Sequence, residues 1–525
     1  MTPNRTLAAT SMLLHDVLAF NAVRRPDAPA LVGQDGRRLT FRELQDRSLG
    51  LARALAASGA AGDHVAILAD NQPEYVEAYY GVPAAGQRLV FLNYRLAPAE
   101  LVRILDDAEA GTLLYAPHFA STVEALLPEL EREVRTLSFG EEYEAFLAEA
   151  PETPAGDGVA DAETAWIIYT SGTTGMPKGA MLSHRNLFAA IFNGFASLPT
   201  EPAPAPFYLF PFPLCHIAGY AVLSQHVMGH PVALMAAYSP EAWMQMVDEL
   251  GITASALAPT MINMLLNHPA IDRYDLSSLQ TIGYGASSIP AEVLRRALDR
   301  FGPILTQGFG MTELSGNVIY MSKADHVRAD REKPELLRAA GKRGALAAVR
   351  VVDEKGRDCP AGVPGEIVVR GDQVLSGYWK RPEATAEAFR GGWFHTGDVA
   401  QLDDEGFVYI VDRKKDMIVS GAENVYPREV EEALYRHPAV AEAAVFGVPD
   451  EHWGERVAAA VVLRSEADTD VADLDALCRE WLAGYKRPRV WHFVDEIPKN
   501  VSGKVLKREL RRLFGSAQAA EGSSS

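Results

Sequence analysis

YTSGTTGMPKG, the stretch from Tyr169 to Gly179, is the most informative part of this 525-residue chain. It follows the apolar run Trp166 to Ile168 and precedes a predicted helix that begins near Ser183. The hydroxyl residues and glycines of the stretch allow backbone N–H and side-chain O–H groups to converge on an anion, and Lys178 adds a positive charge. We therefore predict a phosphate-binding loop that begins at the end of a buried strand.

Two well-known phosphate loops do not match. The P-loop of NTPases requires Gly-Lys followed by Ser or Thr, whereas Lys178 follows Pro177 and precedes Gly179. The stretches Gly283 to Gly285 and Gly308 to Gly310 lack the third glycine of the dinucleotide fingerprint. The loop therefore belongs to another class, and the phosphates of ATP are its natural ligand.

Segments on either side of the loop alternate between strands and helices. Thr40 and Glu43 predict a capping box at the start of a helix whose apolar residues recur at helical spacing. Strands and helices are then predicted at Val65 to Leu68 (strand), Glu74 to Gly81 (helix), Leu89 to Leu92 (strand), Glu100 to Ala108 (helix) and Leu113 to Tyr115 (strand). Further strands are predicted at Trp166 to Thr170, Pro231 to Met235, Ala254 to Ala258 and Thr281 to Tyr284. This order predicts an α/β fold with largely parallel, helix-covered sheets.

The end of the chain has two different patterns. Val349 to Val369 contains short strands spaced by glycines, which predicts a smaller β-rich subdomain. Beyond Asp412, helices and strands predict a compact α+β unit of a size that is normal for an independent domain. We therefore predict a large N-terminal domain over residues 1–412, a small mobile C-terminal domain over 413–515 and a disordered tail over 516–525.

Charge and cysteine content exclude several classes of partner. The formal charge of −19 argues against nucleic acid, because both partners would be negative. Three cysteines without a CxxC pair support neither a disulfide framework nor a zinc cluster, and they favour a reducing cytoplasm. We expect no secretion signal and no transmembrane segment, since no apolar run approaches ~18 residues.

Further motifs follow the loop in a fixed order. They are Pro213 to His216 (PLCH), Gly308 to Glu313 (GFGMTE), Thr396 to Asp398 (TGD), Asp412 to Asp416 (DRKKD) and Pro498 to Lys504 (PKNVSGK). With these motifs, the chain from about Leu13 to Leu513 resembles the adenylate-forming superfamily. That superfamily includes acyl-CoA synthetases, firefly luciferase and the adenylation domains of nonribosomal peptide synthetases.

The resemblance implies a reaction in two halves. A carboxylate first attacks the α-phosphate of ATP and expels pyrophosphate, and the acyl-adenylate then passes its acyl group to a thiol. Thr312 matches the residue that touches the α-phosphate, and Glu313 matches the one that helps to hold Mg²⁺, a cation that suits phosphate oxygens and few carboxylates. The residues that the resemblance assigns to ATP and AMP are Thr170, Ser171, Gly172, Thr173, Thr174, Gly175, Lys178, Gly285, Ala286, Phe309, Asp398 and Arg413.

The resemblance also assigns roles in the two half-reactions to four further regions. Lys504 matches the lysine that stabilises the negative charge of adenylation. Lys415 matches a hinge about which the C-terminal domain rotates, withdrawing Lys504 and bringing Gly421, Ala422 and Glu423 to the site as a wall for the arm of coenzyme A. His216 matches a histidine beside the substrate carboxylate, with an ordinary core histidine as the alternative, and we do not expect it to act as a general base.

The resemblance and the residues after His216 indicate the class of the acid substrate. The implied acyl pocket contains Ile217, Ala218, Tyr220, Tyr284, Gly308, Met311 and Val318. The segment after His216 offers no aspartate for an α-ammonium group, which favours a plain carboxylic acid, namely a medium- or long-chain fatty acid or a bulky aryl or alicyclic acid. We thus expect an AMP-forming acid–CoA ligase that uses ATP, Mg²⁺ and coenzyme A.

Other functions stay open at this point. An acyl-AMP ligase or a stand-alone enzyme that loads a carrier protein would share these motifs, although the spacing from Glu313 to Val351 is too short for the insertion expected in a fatty acyl-AMP ligase. Luciferase chemistry is not excluded by motif. A nucleotide-binding sensor or scaffold without catalysis is the alternative from another class, and a homodimer is an open form of assembly.

Overall fold

A computed structural model describes residues 12–58, 64–152, 158–170, 177–198, 206–413, 416–420, 423–450, 453–464, 469–499 and 505–515. For Arg413, Glu423 and Asn424 it describes the backbone alone. Of the stretches named above, residues 171–176, 414–415, 421–422, 500–504 and 516–525 lie outside these ranges.

Helices occur along the whole described chain. Those of the first half are α1 (Leu14–Arg24), α2 (Phe41–Ala57), α3 (Pro73–Ala84), α4 (Pro98–Ala108), α5 (Ala120–Leu126), α6 (Glu141–Ala148), α7 (His184–Ser197), α8 (Tyr220–Met228) and α9 (Pro240–Leu250). The later ones are α10 (Pro259–Leu266), α11 (Ala291–Phe301), α12 (Lys323–Arg331), α13 (Pro382–Ala388), α14 (Pro427–Leu434), α15 (Val471–Trp481) and α16 (Lys507–Phe514). Helix α2 begins with the predicted capping box, in which Thr40 and Glu43 bond to each other's backbone.

The strands are numbered in chain order. The first are β1 (Pro29–Gly33), β2 (Arg38–Thr40), β3 (His64–Leu68), β4 (Arg88–Phe91), β5 (Thr112–Tyr115), β6 (Arg135–Ser138), β7 (Thr164–Thr170) and β8 (Lys178–Ser183). The next are β9 (Tyr208–Phe210), β10 (Val232–Leu234), β11 (Ala254–Leu257), β12 (Thr281–Gly285), β13 (Leu305–Met311), β14 (Gly316–Met321), β15 (Gly341–Arg343), β16 (Ala348–Val352) and β17 (Gly365–Arg370). The last are β18 (Gly377–Tyr378), β19 (Phe389–Arg390), β20 (Trp393–Leu402), β21 (Phe407–Arg413), β22 (Ile418–Ser420), β23 (Glu423–Val425), β24 (Val440–Asp450), β25 (Gly454–Leu463) and β26 (Val490–Phe493).

One sheet carries the phosphate loop. Its strand order is β18-β8-β7-β4-β3-β5-β6, and β3 to β7 run parallel. Both faces are buried: Ala66 and Val90 belong to one core cluster, whereas Val65 and Leu89 belong to the other. This explains why these strands are continuous apolar runs without alternation of polar residues.

A longer sheet carries the rest of the site. Its order is β16-β17-β20-β21-β15-β14-β13-β12-β11-β9-β10-β1-β2, with β19 beside β20. The segment from β9 to β13 is parallel and the segment from β13 to β16 is antiparallel. The β-rich subdomain predicted around Val349 to Val369 is therefore joined to the parallel strands by continuous hydrogen bonding.

The C-terminal unit has its own sheet, in the order β23-β22-β25-β24 with β26 beside β25. Side chains of β24 alternate between two core clusters, with Val445 in one and Ala444 and Phe446 in the other. Both faces of this sheet are therefore covered, as the period of a strand requires.

The predicted α/β fold class, with a small α+β C-terminal unit, is confirmed. Strand β8 was not predicted. It runs antiparallel to β7 after the phosphate loop and ends at Ser183, which caps α7.

The three cysteine thiols are unpaired. Among the described residues, no helix combines the length and apolar character that crossing a membrane requires. The boundary at residue 412 stays a prediction.

Candidate active site

The phosphate loop connects two antiparallel strands. Tyr169 pairs with Gly179 and Thr170 pairs with Lys178 at its base. The predicted nucleotide residues Ser171, Gly172, Thr173, Thr174 and Gly175 lie outside the described residues. The structure therefore places the two ends of the loop, and both ends lie at one large cavity, which Thr170 and Pro177 line.

Glu313 connects the two large sheets at this cavity. It lies in a 3₁₀ turn, Thr312–Leu314, that follows β13, and only 6% of the residue is exposed. Its Oε1 accepts hydrogen bonds from Thr170 Oγ1 at 3.1 Å and from Tyr378 Oη at 3.2 Å. Thr312 and Glu313 both line the cavity, so the predicted phosphate contact and the predicted metal ligand are neighbours of the loop.

The carboxylate of Glu313 suits a role in holding Mg²⁺. Both hydroxyl groups donate to the same carboxylate oxygen, and no described residue donates to Oε2. The described residues also include no group of three or more His, Cys, Asp or Glu side chains placed to hold a metal. A single carboxylate that shares the cation with substrate phosphates is a common arrangement for Mg²⁺.

Asp398 and Arg413 face each other across a hairpin. They are paired in the register of β20 and β21, and Asp398 is 5% exposed. The Asp398 N–H donates to Thr396 Oγ1 at 3.1 Å, and Gly397 between them has φ +74°, a backbone conformation that glycine adopts without strain. Local backbone geometry thus fixes the backbone at Asp398.

The predicted adenine residues meet Asp398 in a second cavity of about 270 Å³. Ala286 and Phe309 line it, while Gly285 lies next to it in β12, paired with Gly308. A Cβ atom on Gly285 would lie 2.5 Å from the carbonyl oxygen of Gly308, so this position requires glycine. Phe309 and Asp398 therefore line one cavity.

Gln307 lines both cavities and was not predicted. His326 Nδ1 lies 2.7 Å from the carbonyl of Ser322, so Nδ1 carries the proton and Nε2 accepts the hydrogen bond from Tyr284 Oη at 2.8 Å. Burial lowers the pKa of His326 to about 4, in agreement with a neutral ring. Gln307 Oε1 lies 3.0 Å from the same hydroxyl, so the one hydrogen of the phenol faces two acceptors, Gln307 Oε1 and His326 Nε2.

His216 is held by helix α3. The backbone N–H of Leu214 donates to Asn71 Oδ1 at 2.7 Å, and Tyr79 Oη donates to the Leu214 carbonyl. His216 lines the large cavity, and its buried Nε2 has no partner among the described residues. Burial, with a smaller effect of the positive charge of Arg95, lowers the pKa of His216 to about 4.

A neutral His216 leads to a prediction about pH. We expect the rate of adenylation to show no titration step of this ring between neutral and mildly acidic pH, because the ring gains a proton only near its lowered pKa. Wild-type protein and the His216→Gln variant should therefore give parallel pH–rate profiles, with the exposed His118→Gln as the control. A step near the ordinary histidine pKa that only His216→Gln removes would contradict this.

The large cavity has a volume of about 2300 Å³ and extends along the parallel strands. It is lined by Gln280 and Ile304 at the amino ends of β12 and β13 and by Gly285 and Met311 at the carboxyl ends. The seven residues of β13 span roughly 20 Å at the usual rise per residue. The cavity therefore has room for a long group beyond the phosphate site.

Most of the predicted acyl-pocket residues line this cavity. They are Ile217, Ala218, Tyr220, Tyr284, Gly308 and Met311. Val318 does not line it and is fully buried. The reason is a β-bulge. Phe309 pairs with Ile319 and Gly310 pairs with Asn317, so Val318 has no register partner on β13, and Asn317 lines the cavity instead.

The C-terminal unit reaches the same site. Lys504, Lys415, Gly421 and Ala422 lie outside the described residues, and of Glu423 only the backbone in β23 is described. Lys499 and Val505 form an antiparallel bridge, and Lys499, Leu506 and Arg508 line the large cavity. Described residues on both sides of Lys504 therefore line the same cavity as Thr312 and Glu313.

The ends of the predicted phosphate loop, the cavity of the predicted adenine residues and the cavity of the predicted acyl residues adjoin, an arrangement that fits an adenylating enzyme. A family model described as AMP-binding enzyme matches residues 18–379, and a model of the AMP-binding enzyme C-terminal domain matches residues 429–504. The chain belongs to the AMP-binding enzyme family. The adenylate-forming superfamily predicted from the motifs is thereby confirmed.

Individual relatives cover nearly the whole chain. Feruloyl-CoA synthase of an Amycolatopsis species is 41% identical over 93% of this chain and 96% of its own length. The fatty acid–[acyl-carrier-protein] ligase ScoC of Streptomyces coeruleorubidus is 36% identical over 94% of this chain and 95% of its own length. The structure of the amide bond synthetase McbA from Marinactinospora thermotolerans has 32% identity and a TM-score of 0.86, with 95% of this chain and 99% of that chain covered.

Proposed function

We propose that this chain is an AMP-forming acid–CoA ligase. It would activate a carboxylic acid as its acyl-adenylate with release of pyrophosphate, and then transfer the acyl group to coenzyme A. The observation that carries this proposal is that Thr170, Glu313, Lys499 and Leu506 line one cavity, at which Thr170 donates a hydrogen bond to Glu313. A mere nucleotide sensor has no need for an acyl cavity beside its phosphate site.

Each group of residues has a proposed role. The loop Thr170 to Lys178 binds the phosphates, Thr312 positions the α-phosphate, and Asp398 and Arg413 bind the ribose. Phe309, Gly285 and Ala286 hold adenine, whose aromatic face suits stacking on Phe309. Mg²⁺, held by Glu313 and phosphate oxygens, would neutralise charge on the phosphates.

Lys504 is proposed to act in the first half-reaction only. Its positive charge would stabilise the charge that develops when the substrate carboxylate attacks phosphorus. Rotation of the domain 413–515 about Lys415 would then bring Gly421, Ala422 and Glu423 to the site for coenzyme A. In the arrangement described here, the ion pair between Arg338 Nε and Glu432 (3.0 Å) joins that domain to the large one.

The proposed acid is a medium- or long-chain fatty acid or a bulky aryl or alicyclic acid. The cavity extends along the strands beyond His216, and its walls include Phe195, Leu257 and Ile304. The walls also contain polar groups, and among them Asn317 Nδ2 donates to Tyr220 Oη at 3.1 Å. This pair, with the similarity to feruloyl-CoA synthase, supports aryl acids that carry oxygen substituents.

The acceptor is tested by the rate of AMP release. With a cognate acid, ATP and Mg²⁺, we expect steady turnover only when coenzyme A is added, and formation of the acyl-CoA. Parallel reactions receive a carrier protein with its phosphopantetheine arm, because ScoC is named an acyl-carrier-protein ligase, or a simple amine, because McbA is named an amide bond synthetase. Faster turnover with either of these than with coenzyme A would overturn the assignment of the acceptor.

Location in a reducing cytoplasm and assembly as a homodimer stay predictions.

A further inference from the structure

The segment Gly377 to Arg381 runs along the return strand of the phosphate loop. Gly377 pairs with Met181 and Tyr378 pairs with Ala180. The Trp379 N–H then donates to the carbonyl of Gly179 at 2.8 Å. The segment therefore follows β8 as far as the base of the loop.

Asp107 of helix α4 ties this segment to the other strand of the loop. Its Oδ2 accepts from Tyr169 Oη at 2.7 Å and its Oδ1 from Arg381 Nη2 at 2.6 Å. Its backbone carbonyl accepts from Trp379 Nε1 at 2.9 Å. Three hydrogen bonds thus fix the position of residues 377–381 relative to both strands that carry the loop.

Tyr378 uses this fixed position to contact two groups of the site. Its hydroxyl donates to Glu313 Oε1 at 3.2 Å, and Lys178 Nζ lies over its ring, 5.4 Å from the centroid. A lysine at this distance over an aromatic ring is attracted to its face. One side chain therefore contacts the carboxylate proposed to hold Mg²⁺ and the lysine at the end of the phosphate loop.

We propose that Tyr378 is a positioning residue for the metal–nucleotide complex. Its hydroxyl, with that of Thr170, engages Oε1 and leaves Oε2 of Glu313 directed to the cation, while its ring holds Lys178 over the loop. Hydrogen bonds to a ligand carboxylate tune metal affinity, and their loss typically costs 10–100-fold. This inference rests on the proposed function of Glu313 and Lys178.

The test separates the hydroxyl from the ring. In Tyr378→Phe the ring stays and the hydrogen bond is lost, so we expect the Mg²⁺ concentration for half-maximal pyrophosphate exchange to rise about tenfold or more. The KM of the acid should not change. In Tyr378→Leu the KM of ATP should rise as well, because Lys178 loses the ring. The matched control is Tyr409→Phe, which removes a hydroxyl that donates to Asp403 at 3.3 Å.

A second readout does not depend on catalysis. The rise in Tm that ATP produces is measured in Mg²⁺ and in EDTA, and Tyr378→Phe should lose most of the difference between the two. If Tyr378→Phe does not fold, Thr170→Val removes the other hydrogen bond to Oε1 and should shift the Mg²⁺ dependence in the same direction.

Failure of the positioning role can be distinguished from failure of the proposed function. An unchanged Mg²⁺ dependence and an unchanged Tm difference in folded Tyr378→Phe would overturn the positioning role and leave Tyr378 as a packing residue. Absence of exchange in the wild-type protein would instead overturn the proposed function, while the Tm difference would still report on the role of Tyr378.

Discussion

Replacing Lys504 with alanine is expected to abolish formation of the acyl-adenylate and to leave thioester formation from supplied acyl-adenylate nearly unchanged. Loss of one preorganised group that stabilises transition-state charge typically lowers the rate about 10²–10³-fold. The described residues on both sides of Lys504 line the cavity beside Glu313, where charge develops during adenylation. Lys504 should leave the site before coenzyme A reacts, so the second half-reaction should not need it.

The two half-reactions can be measured separately. Adenylation is followed by exchange of labelled pyrophosphate into ATP, and thioester formation is followed by mixing synthetic acyl-adenylate with coenzyme A. Lys355→Ala is the matched control, since Lys355 is exposed in the turn between β16 and β17. Equal loss of both half-reactions in Lys504→Ala would contradict the idea that the C-terminal domain alternates between two positions.

The Glu313→Gln variant is expected to lose pyrophosphate exchange by a comparable factor, about 10²–10³-fold. The amide has the same shape and its oxygen can still accept from Thr170 and Tyr378, so the fold of the turn should stay intact. The negative charge that attracts Mg²⁺ is gone, however. We therefore expect the remaining exchange to depend weakly on Mg²⁺ concentration.

Exchange is measured over a range of Mg²⁺ concentrations, with far-UV circular dichroism to show that the variant is folded. The control is Glu354→Gln, an exposed glutamate in a distant turn. If the Glu313→Gln variant kept the rate and the Mg²⁺ dependence of the wild type, Glu313 would have no role in binding the cation.

The sequence predicts local structure well where one short pattern is sufficient. The capping box of Thr40 and Glu43 formed as expected, and the apolar runs at Val65 to Leu68 and Leu89 to Leu92 are strands within one residue of the predicted bounds. Strand β8 was missed because it is defined by its pairing with β7 on the other side of the loop. That pairing is not visible in the sequence. Likewise, the strands near Val349 were assigned to a separate unit, because the pairing that joins them to the long sheet involves segments that are distant in sequence.

The structure brings together residues of separate predicted motifs. Thr170 and Asp398 are far apart in the sequence from each other and from Phe309 and Glu313, and all four residues line two adjoining cavities. The misplaced residue was Val318, since a β-bulge cannot be recognised from alternation of residues.

Three residues that the motifs do not contain also line these cavities or contact Glu313. Gln307 precedes the GFGMTE motif, and its position was a usable signal. Asn317 and Tyr378 gave no signal in the sequence, because their roles depend on contacts with Tyr220 and Glu313 across the fold.

The most direct test of the central claim is exchange of pyrophosphate into ATP with a panel of acids. The panel should include octanoate, palmitate, ferulate, benzoate and an alicyclic acid. We predict exchange that depends strictly on a cognate acid from the fatty or bulky aryl and alicyclic classes. Absence of exchange with every acid, or exchange at the same rate without any acid, would contradict the proposal that this chain forms acyl-adenylates.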